Sequence, residues 1–293
     1  MMKRLNKKAK TIIMVALAAV LFVSAVVAFV LNYHNIFAFA MQNGWFCSPI
    51  EIERADDAGF VECGIEGLLS DSRVSFEQSL MLVNTTYPLH EDFVPDIVEY
   101  KDTTVFMSRP MIYAYAQLSG VVKEMTGNKL YVSSDFRTED EQEALYREDP
   151  LTATVPGASE HQSGLALDVY VAYYAGDAFL KSPSGRFVNA HAHEYGFIIR
   201  YPSYGEKSTG IRFEPWHIRY VGAPHASVIY NNHITLEEYI LSFEIGEWYE
   251  IDGYLVSRQY VKETVTMPES FESCTISPDN TGCYIITLKK YTN

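Results

Sequence analysis

The sequence predicts an α+β fold set behind one N-terminal transmembrane helix and followed by a small strand-rich appendix. Three observations predict it. Thr11 to Leu31 is apolar and carries no charge. Residues 80–245 alternate short β-rich runs with helices whose ends bear capping signals. From Gly246 onward, aromatic and β-branched residues dominate, which suits strands. With 48% hydrophobic residues in 293, the chain has ample material for a core, and it contains no internal repeat or low-complexity tract.

The N-terminal segment comes first. Lys3, Arg4, Lys7, Lys8 and Lys10 make residues 1–10 a basic tail. Residues 11–31 come next, long enough as a helix to span the ~30 Å hydrocarbon core. Positive charge in front of the segment and none immediately behind it puts the N-terminus in the cytoplasm and the remainder outside, as a single-pass protein of the cell membrane. A cleaved signal peptide is the rival reading, since Ala38-Phe39-Ala40 resembles a cleavage site, but signal peptides use a shorter apolar core of ~7–15 residues. Both readings export the remainder of the chain. Outside the tail, 18 basic residues face 37 acidic ones, a balance that excludes a nucleic-acid partner.

Residues 32–79 read as an extracellular linker and irregular arm, with an acidic turn at Asp56-Asp57-Ala58-Gly59. Outside the cell, cysteines favour disulfides. Four cysteines permit three pairings, and the expected ones are local, Cys47–Cys63 and Cys274–Cys283. Their spacing does not resemble a zinc ribbon.

The central segment opens with the apolar run Leu80 to Val83, followed by the glycosylation-type triplet Asn84-Thr85-Thr86. Met111 to Met125 carries apolar residues at helical spacing and stops at Gly127. Leu130 to Ser133 reads as a strand. A helix over 138–146 opens with a capping box, Thr138 and Glu141. Leu165 to Ala172 suits a central strand, and a helix over 187–195 closes at Gly196. Phe197 to Tyr201 and Trp216 to Val221 are β-rich, Pro224 starts another helix, and Thr235 with Glu238 forms a second capping box. Residues 246–293 make up the appendix.

Two short segments carry chemistry. In SEHQSGLALD, His161 and Asp168 provide two metal ligands if a turn at Gly164 folds the segment back. In EPWHIRY, His217 provides a third, and Glu214 stands three residues before it as a general base. A His-Asp-His shell with one base is the minimum for zinc-assisted hydrolysis, in which zinc takes three protein ligands and keeps a fourth position open. Each segment has a plainer reading. A lone His-Asp pair is common by chance, and Trp216-His217 alone suits a packed core pair. His191 and His193 point apart on a helix and read as surface or supporting residues. His34, His90, His225 and His233 have no partnered spacing and read as solvated or packed. Arg137 is either a helix-start cation or a carboxylate-binding guanidinium.

SSDFRTEDEQ, PGASEHQSGLALDV, YGFIIRYP and TGIRFEPWHIRYVG together resemble the zinc D-alanyl-D-alanine metallopeptidases of the VanY and VanX group, in family order and spacing over roughly Leu80 to Ile240. That resemblance implies an antiparallel sheet flanked by helices, of the kind shared with lysostaphin-type enzymes and hedgehog domains. It implies one zinc held by His161, Asp168 and His217, with Glu214 as catalytic base. It makes Arg137 a substrate-binding and oxyanion-stabilising residue, and Ser134, Gln142 and Ser159 lesser residues that contact substrate or shape the pocket. Phe136 and Thr138 depart from the family's usual tyrosine and serine beside the arginine, and the tail after Gly246 has no counterpart in these motifs.

The implied activity is a membrane-anchored extracellular D,D-carboxypeptidase. Its partner is the peptidoglycan stem peptide ending in D-Ala-D-Ala, and its part lies in glycopeptide resistance or wall remodelling. Two alternatives stand beside it. One is an L,D-carboxypeptidase acting on tetrapeptide stems. The other is a non-catalytic zinc module that binds cell wall, against which an intact Glu214 argues because a structural site needs no base.

Overall fold

In the computed structural model, residues 7–56, 59–260 and 262–291 are described. Lys3 and Arg4 of the basic tail, and Asp57-Ala58 of the expected acidic turn, lie outside the described residues.

The apolar N-terminal segment is helical from Lys7 to Gln42, well past the 11–31 span. It meets no helix breaker before Gly44, which turns the chain at φ +66. This helix is long and apolar enough to cross a membrane, and most of its apolar side chains are exposed. Its C-terminal end docks on the domain. Arg186 lies over the ring of Tyr33 at 5.1 Å, and the side chains of Asn231 and Asn232 accept the amides of Ser48 and Ile50 at 3.0 and 2.7 Å.

Residues 131–220 build a four-stranded antiparallel sheet in the order Tyr131–Ser134, Ala166–Tyr170, His217–Tyr220, Phe197–Ile199. The expected central strand is inside the sheet, and its Ala166, Leu167 and Val169 are buried. Register decides what this sheet can do. Asp168 stands opposite Ser134 on one side and opposite His217 on the other. Directly paired residues share a face, so three polar side chains project together. The helices Met111–Thr126 and Pro183–His191 help close the core, where Met111, Leu118, Leu167, Phe179, Val188 and Ile218 are fully buried. Each such side chain contributes roughly 1.5–3 kcal/mol by leaving water.

The local signals correspond to real helix ends. Gly127 caps the first helix in the left-handed conformation at φ 74. Thr138 and Thr235 each close a complete capping box with Glu141 and Glu238. Gly196 comes after a 3-10 turn, Ala192–Tyr195, that tightens the end of the helix expected over 187–195.

The arm and the appendix, distant in sequence, form one sheet. Its order is Glu53–Arg54, Trp248–Ile251, Tyr254–Tyr260, Cys283–Lys289, Ser273–Pro278, Val74–Phe76. The first and last strands come from the arm, and Val61–Gly64 pairs separately with Thr264–Met267. His225 joins this sheet to the catalytic half, since its ring nitrogens bond the Tyr239 hydroxyl at 2.7 Å and the Thr287 hydroxyl at 3.0 Å.

The expected disulfides are not formed, and all four cysteines are free thiols. Cys47 sits against the Tyr230 carbonyl, whereas Cys63 pairs with Val265 in another sheet. Cys274 and Cys283 lie on adjacent strands but on different rungs, opposite Leu288 and Tyr260 respectively. Asn84 of the glycosylation-type triplet is engaged structurally, donating to Glu237 at 3.0 Å and accepting the Thr86 and Tyr87 amides.

Candidate active site

A 3-10 turn over Glu160–Ser163 carries His161 inward, and Gly164 ends it at φ 70, leading into the Asp168 strand. The EPWH turn is fixed from outside. Glu214 donates its amide to the Tyr201 carbonyl, and Asn189 donates to the Pro215 carbonyl at 2.8 Å. These two turns bring His161, Asp168 and His217 together, with one donor atom from each within 4.8 Å of the others. His217 Nδ1 lies 3.0 Å from Asp168, His161 Nε2 lies 3.6 Å from it, and Glu214 approaches His217 Nδ1 to 4.0 Å.

The imidazoles are oriented oppositely. His161 Nδ1 donates to the Asp135 carbonyl at 2.8 Å, so its Nε2 is the free donor atom. His217 instead turns Nδ1 into the cluster and Nε2 toward Glu160. Burial disfavours charge on both rings. It prevails at His161, whose pKa falls. At His217, the neighbouring carboxylates of Asp168 and Glu160 outweigh burial and lift the pKa to about 9. Burial works against the Asp168 carboxylate too, but the two histidines beside it hold it well below the usual carboxylate range. Glu214 goes the other way, since burial raises its pKa and neighbouring Asp168 adds to the rise.

Arg137 reaches the same cleft of about 170 Å³, which Gln142, Ser159, His161, Asp168, Glu214 and His217 also line. Its guanidinium donates to Gln142 Oε1 at 2.5 Å and to Ser134 Oγ at 2.7 Å. Gln142 is held in turn by donating to the Thr154 carbonyl at 2.6 Å. Ser134 supports Arg137 rather than lining the cleft. The structure thus brings His161, Asp168, His217, Glu214, Arg137, Gln142 and Ser159 to one cleft and leaves Ser134 behind Arg137. The remaining histidines stay apart: His191 bonds Glu194 at 2.8 Å and His193 stacks on Tyr230.

Sequence reasoning missed a buried charge quartet behind the cluster. Glu160 accepts from Arg200 at 2.7 Å and from Arg219 at 2.6 Å, and Arg200 also pairs twice with Glu237. It also missed Tyr201, whose ring packs 4.8 Å from that of His217. Glu160, Arg200 and Arg219 all lie inside the motif segments, but nothing in their spacing marks them as mutual partners.

Two imidazoles and a carboxylate suit zinc, whose tetrahedral donors stand about 3.4 Å apart when each is ~2.0–2.1 Å from the metal. The observed separations need only small side-chain adjustments to reach that arrangement. An acid left outside the ligand set, beside a position open to substrate, distinguishes a hydrolytic centre from a structural one. Fold and site therefore define a metallopeptidase.

Comparison with known proteins agrees. The family model for VanY, D-alanyl-D-alanine carboxypeptidase, matches residues 106–223. A D-alanyl-D-alanine carboxypeptidase of Enterococcus faecium is 31% identical over 262 residues, covering 80% of this chain and 83% of that protein. The match extends beyond the 80–245 segment alone. The crystal structure of the vancomycin-resistance D,D-dipeptidase VanXYg with a D-Ala-D-Ala phosphinate analogue is 26% identical at a TM-score of 0.60, over 82% of this chain and 99% of that one. A VanY D,D-pentapeptidase from a VanB-type resistance cassette, solved with Zn(II), is 28% identical at a TM-score of 0.51, over 56% and 99% of the two chains. The chain belongs to the VanY-type D-alanyl-D-alanine carboxypeptidases.

Proposed function

We propose that this protein is a membrane-tethered zinc D,D-carboxypeptidase, facing outward, that removes the terminal D-alanine from peptidoglycan pentapeptide stems. The observation that carries the reading is Arg137 in the same cleft as the His161-Asp168-His217 cluster and Glu214. A guanidinium beside a hydrolytic centre suits a substrate rich in carboxylate and carbonyl oxygens.

When bound, zinc supplies Lewis acidity, which lowers the pKa of water and polarises a carbonyl. Glu214 takes the proton from the attacking water, holds it on its carboxyl group and returns it to the leaving amine. Its raised pKa suits both halves of that task. Arg137, fixed by Ser134 and Gln142, neutralises negative charge that develops on the substrate. Ser159 and Gln142 shape the pocket.

The helix Lys7–Gln42 supports the tether, and its docked end supports a cleft held close to the outer membrane surface. Trimming pentapeptides removes the D-Ala-D-Ala terminus that glycopeptides bind, so the function fits vancomycin resistance. A second reading has a specific basis, because the LdcB LD-carboxypeptidase is 30% identical at a TM-score of 0.51. Purified protein is offered pentapeptide and tetrapeptide stems and released D-alanine is quantified. Release from pentapeptide is expected, and release from tetrapeptide alone would establish the L,D activity instead.

A further inference from the structure

Among the described residues, four buried side-chain nitrogen or oxygen atoms lack a hydrogen-bond partner, and two of them face each other. They are Glu160 Oε2 and His217 Nε2, 3.6 Å apart. An unpartnered buried polar atom is costly, so a facing donor and acceptor are natural partners.

Chemistry fixes which atom is the donor. His217 directs Nδ1 toward Asp168 and Glu214, so Nδ1 is its ligating nitrogen and Nε2 carries the proton. Glu160 presents only a lone pair there. Its other oxygen is taken by Arg200 and Arg219, at 2.7 and 2.6 Å. Both arginines are anchored from behind, Arg200 by Glu237 and Arg219 by the carbonyls of Ser79 and Met81 at 3.0 and 2.8 Å. Two guanidiniums and two carboxylates balance, and the Glu160 side chain is wholly buried.

We propose that Glu160 is the positioning residue for His217: its Oε2 accepts the Nε2–H, holds the ring in the tautomer that frees Nδ1, and strengthens that nitrogen as a metal ligand. His161 receives its corresponding support from the neutral carbonyl of Asp135, so the two histidine ligands are unequal and His217 is the stronger. The Arg200–Arg219–Glu237 frame prevents Glu160 from turning away.

The inference rests on the reading of His161, Asp168 and His217 as zinc ligands, and the experiment separates the two. Full-length protein in detergent, labelled with ¹⁵N-histidine and loaded with zinc, is examined by NMR, and its zinc affinity is measured by chelator competition. One zinc per chain with an exchange-protected, downfield Nε2–H resonance from His217 is expected. In Glu160→Gln that resonance shifts or broadens, and zinc affinity falls about 10–100-fold. Zinc bound in the wild type through His217 Nε2, or with a freely exchanging Nε2–H, overturns the role of Glu160 and leaves the ligand assignment standing. A folded Glu160→Gln variant with unchanged resonance and affinity overturns it equally. Failure of the wild type to bind zinc overturns both. The wild-type spectrum decides the matter even where the variant does not fold.

Discussion

Mild acid should loosen the seam between the catalytic half and the C-terminal sheet, through His225. This side chain is buried at 3% exposure and its two ring nitrogens are occupied by the Tyr239 and Thr287 hydroxyls. Burial lowers its pKa from 6.5 to about 3. The folded protein therefore holds His225 neutral over a range in which the unfolded chain protonates it. For a depressed folded value, the stabilising contribution is complete above the unfolded pKa of ~6.5 and declines as pH falls toward the folded one. Each pH unit in that window costs about 1.4 kcal/mol, so moving from pH 7 to pH 5 removes about 2 kcal/mol. Urea unfolding at both pH values, for the wild type and for His225→Gln, isolates the effect because the amide keeps a donor and an acceptor without titrating. The stability difference between the two proteins should narrow by about 2 kcal/mol at pH 5. A difference that stays constant between pH 7 and pH 5 refutes the reasoning.

Two further outcomes are expected. Arg137→Ala should lower kcat for D-alanine release by about 10²–10³ while leaving bound zinc unchanged by elemental analysis. A loss under threefold would remove Arg137 from the chemistry. Gly164→Ala places a methyl at φ +70, 2.1 Å from the Ile97 side-chain tip. The left-handed backbone alone costs about 1–2 kcal/mol, so the melting temperature should drop, and an unchanged one would show that the turn tolerates a side chain.

What the sequence made legible was local. Gly127, Thr138 with Glu141, and Thr235 with Glu238 end or start helices through contacts within one turn, so short patterns suffice to find them. His161 and Asp168 were legible for a similar reason, since one turn and one strand join them. Distant pairings left no such mark. Glu160 meets Arg200 and Arg219 across 40 and 59 residues, and a charged residue in a motif looks the same whether buried or solvated. Cysteine spacing is a poor guide because nearness along the chain is not nearness in space, and strand rungs separate Cys274 from Cys283. The arm read as irregular because its strands are too short to show alternation without their C-terminal partners.

That last pairing sets the order in which the molecule can be completed. Val74–Phe76 binds Ser273–Pro278, and nearby the Leu80 amide meets the Ser277 hydroxyl across 197 residues. Synthesis proceeds from the N-terminus, so every metal-site residue is made long before the strand that secures the arm. Closing so long a loop is slow compared with forming a hairpin. Ser79 at the end of the arm and Met81 just beyond it supply the carbonyls that hold Arg219, and Arg219 holds Glu160. The strand Ser273–Pro278 therefore completes the setting of His217, and a truncation ahead of it would reach the metal site without touching a ligand.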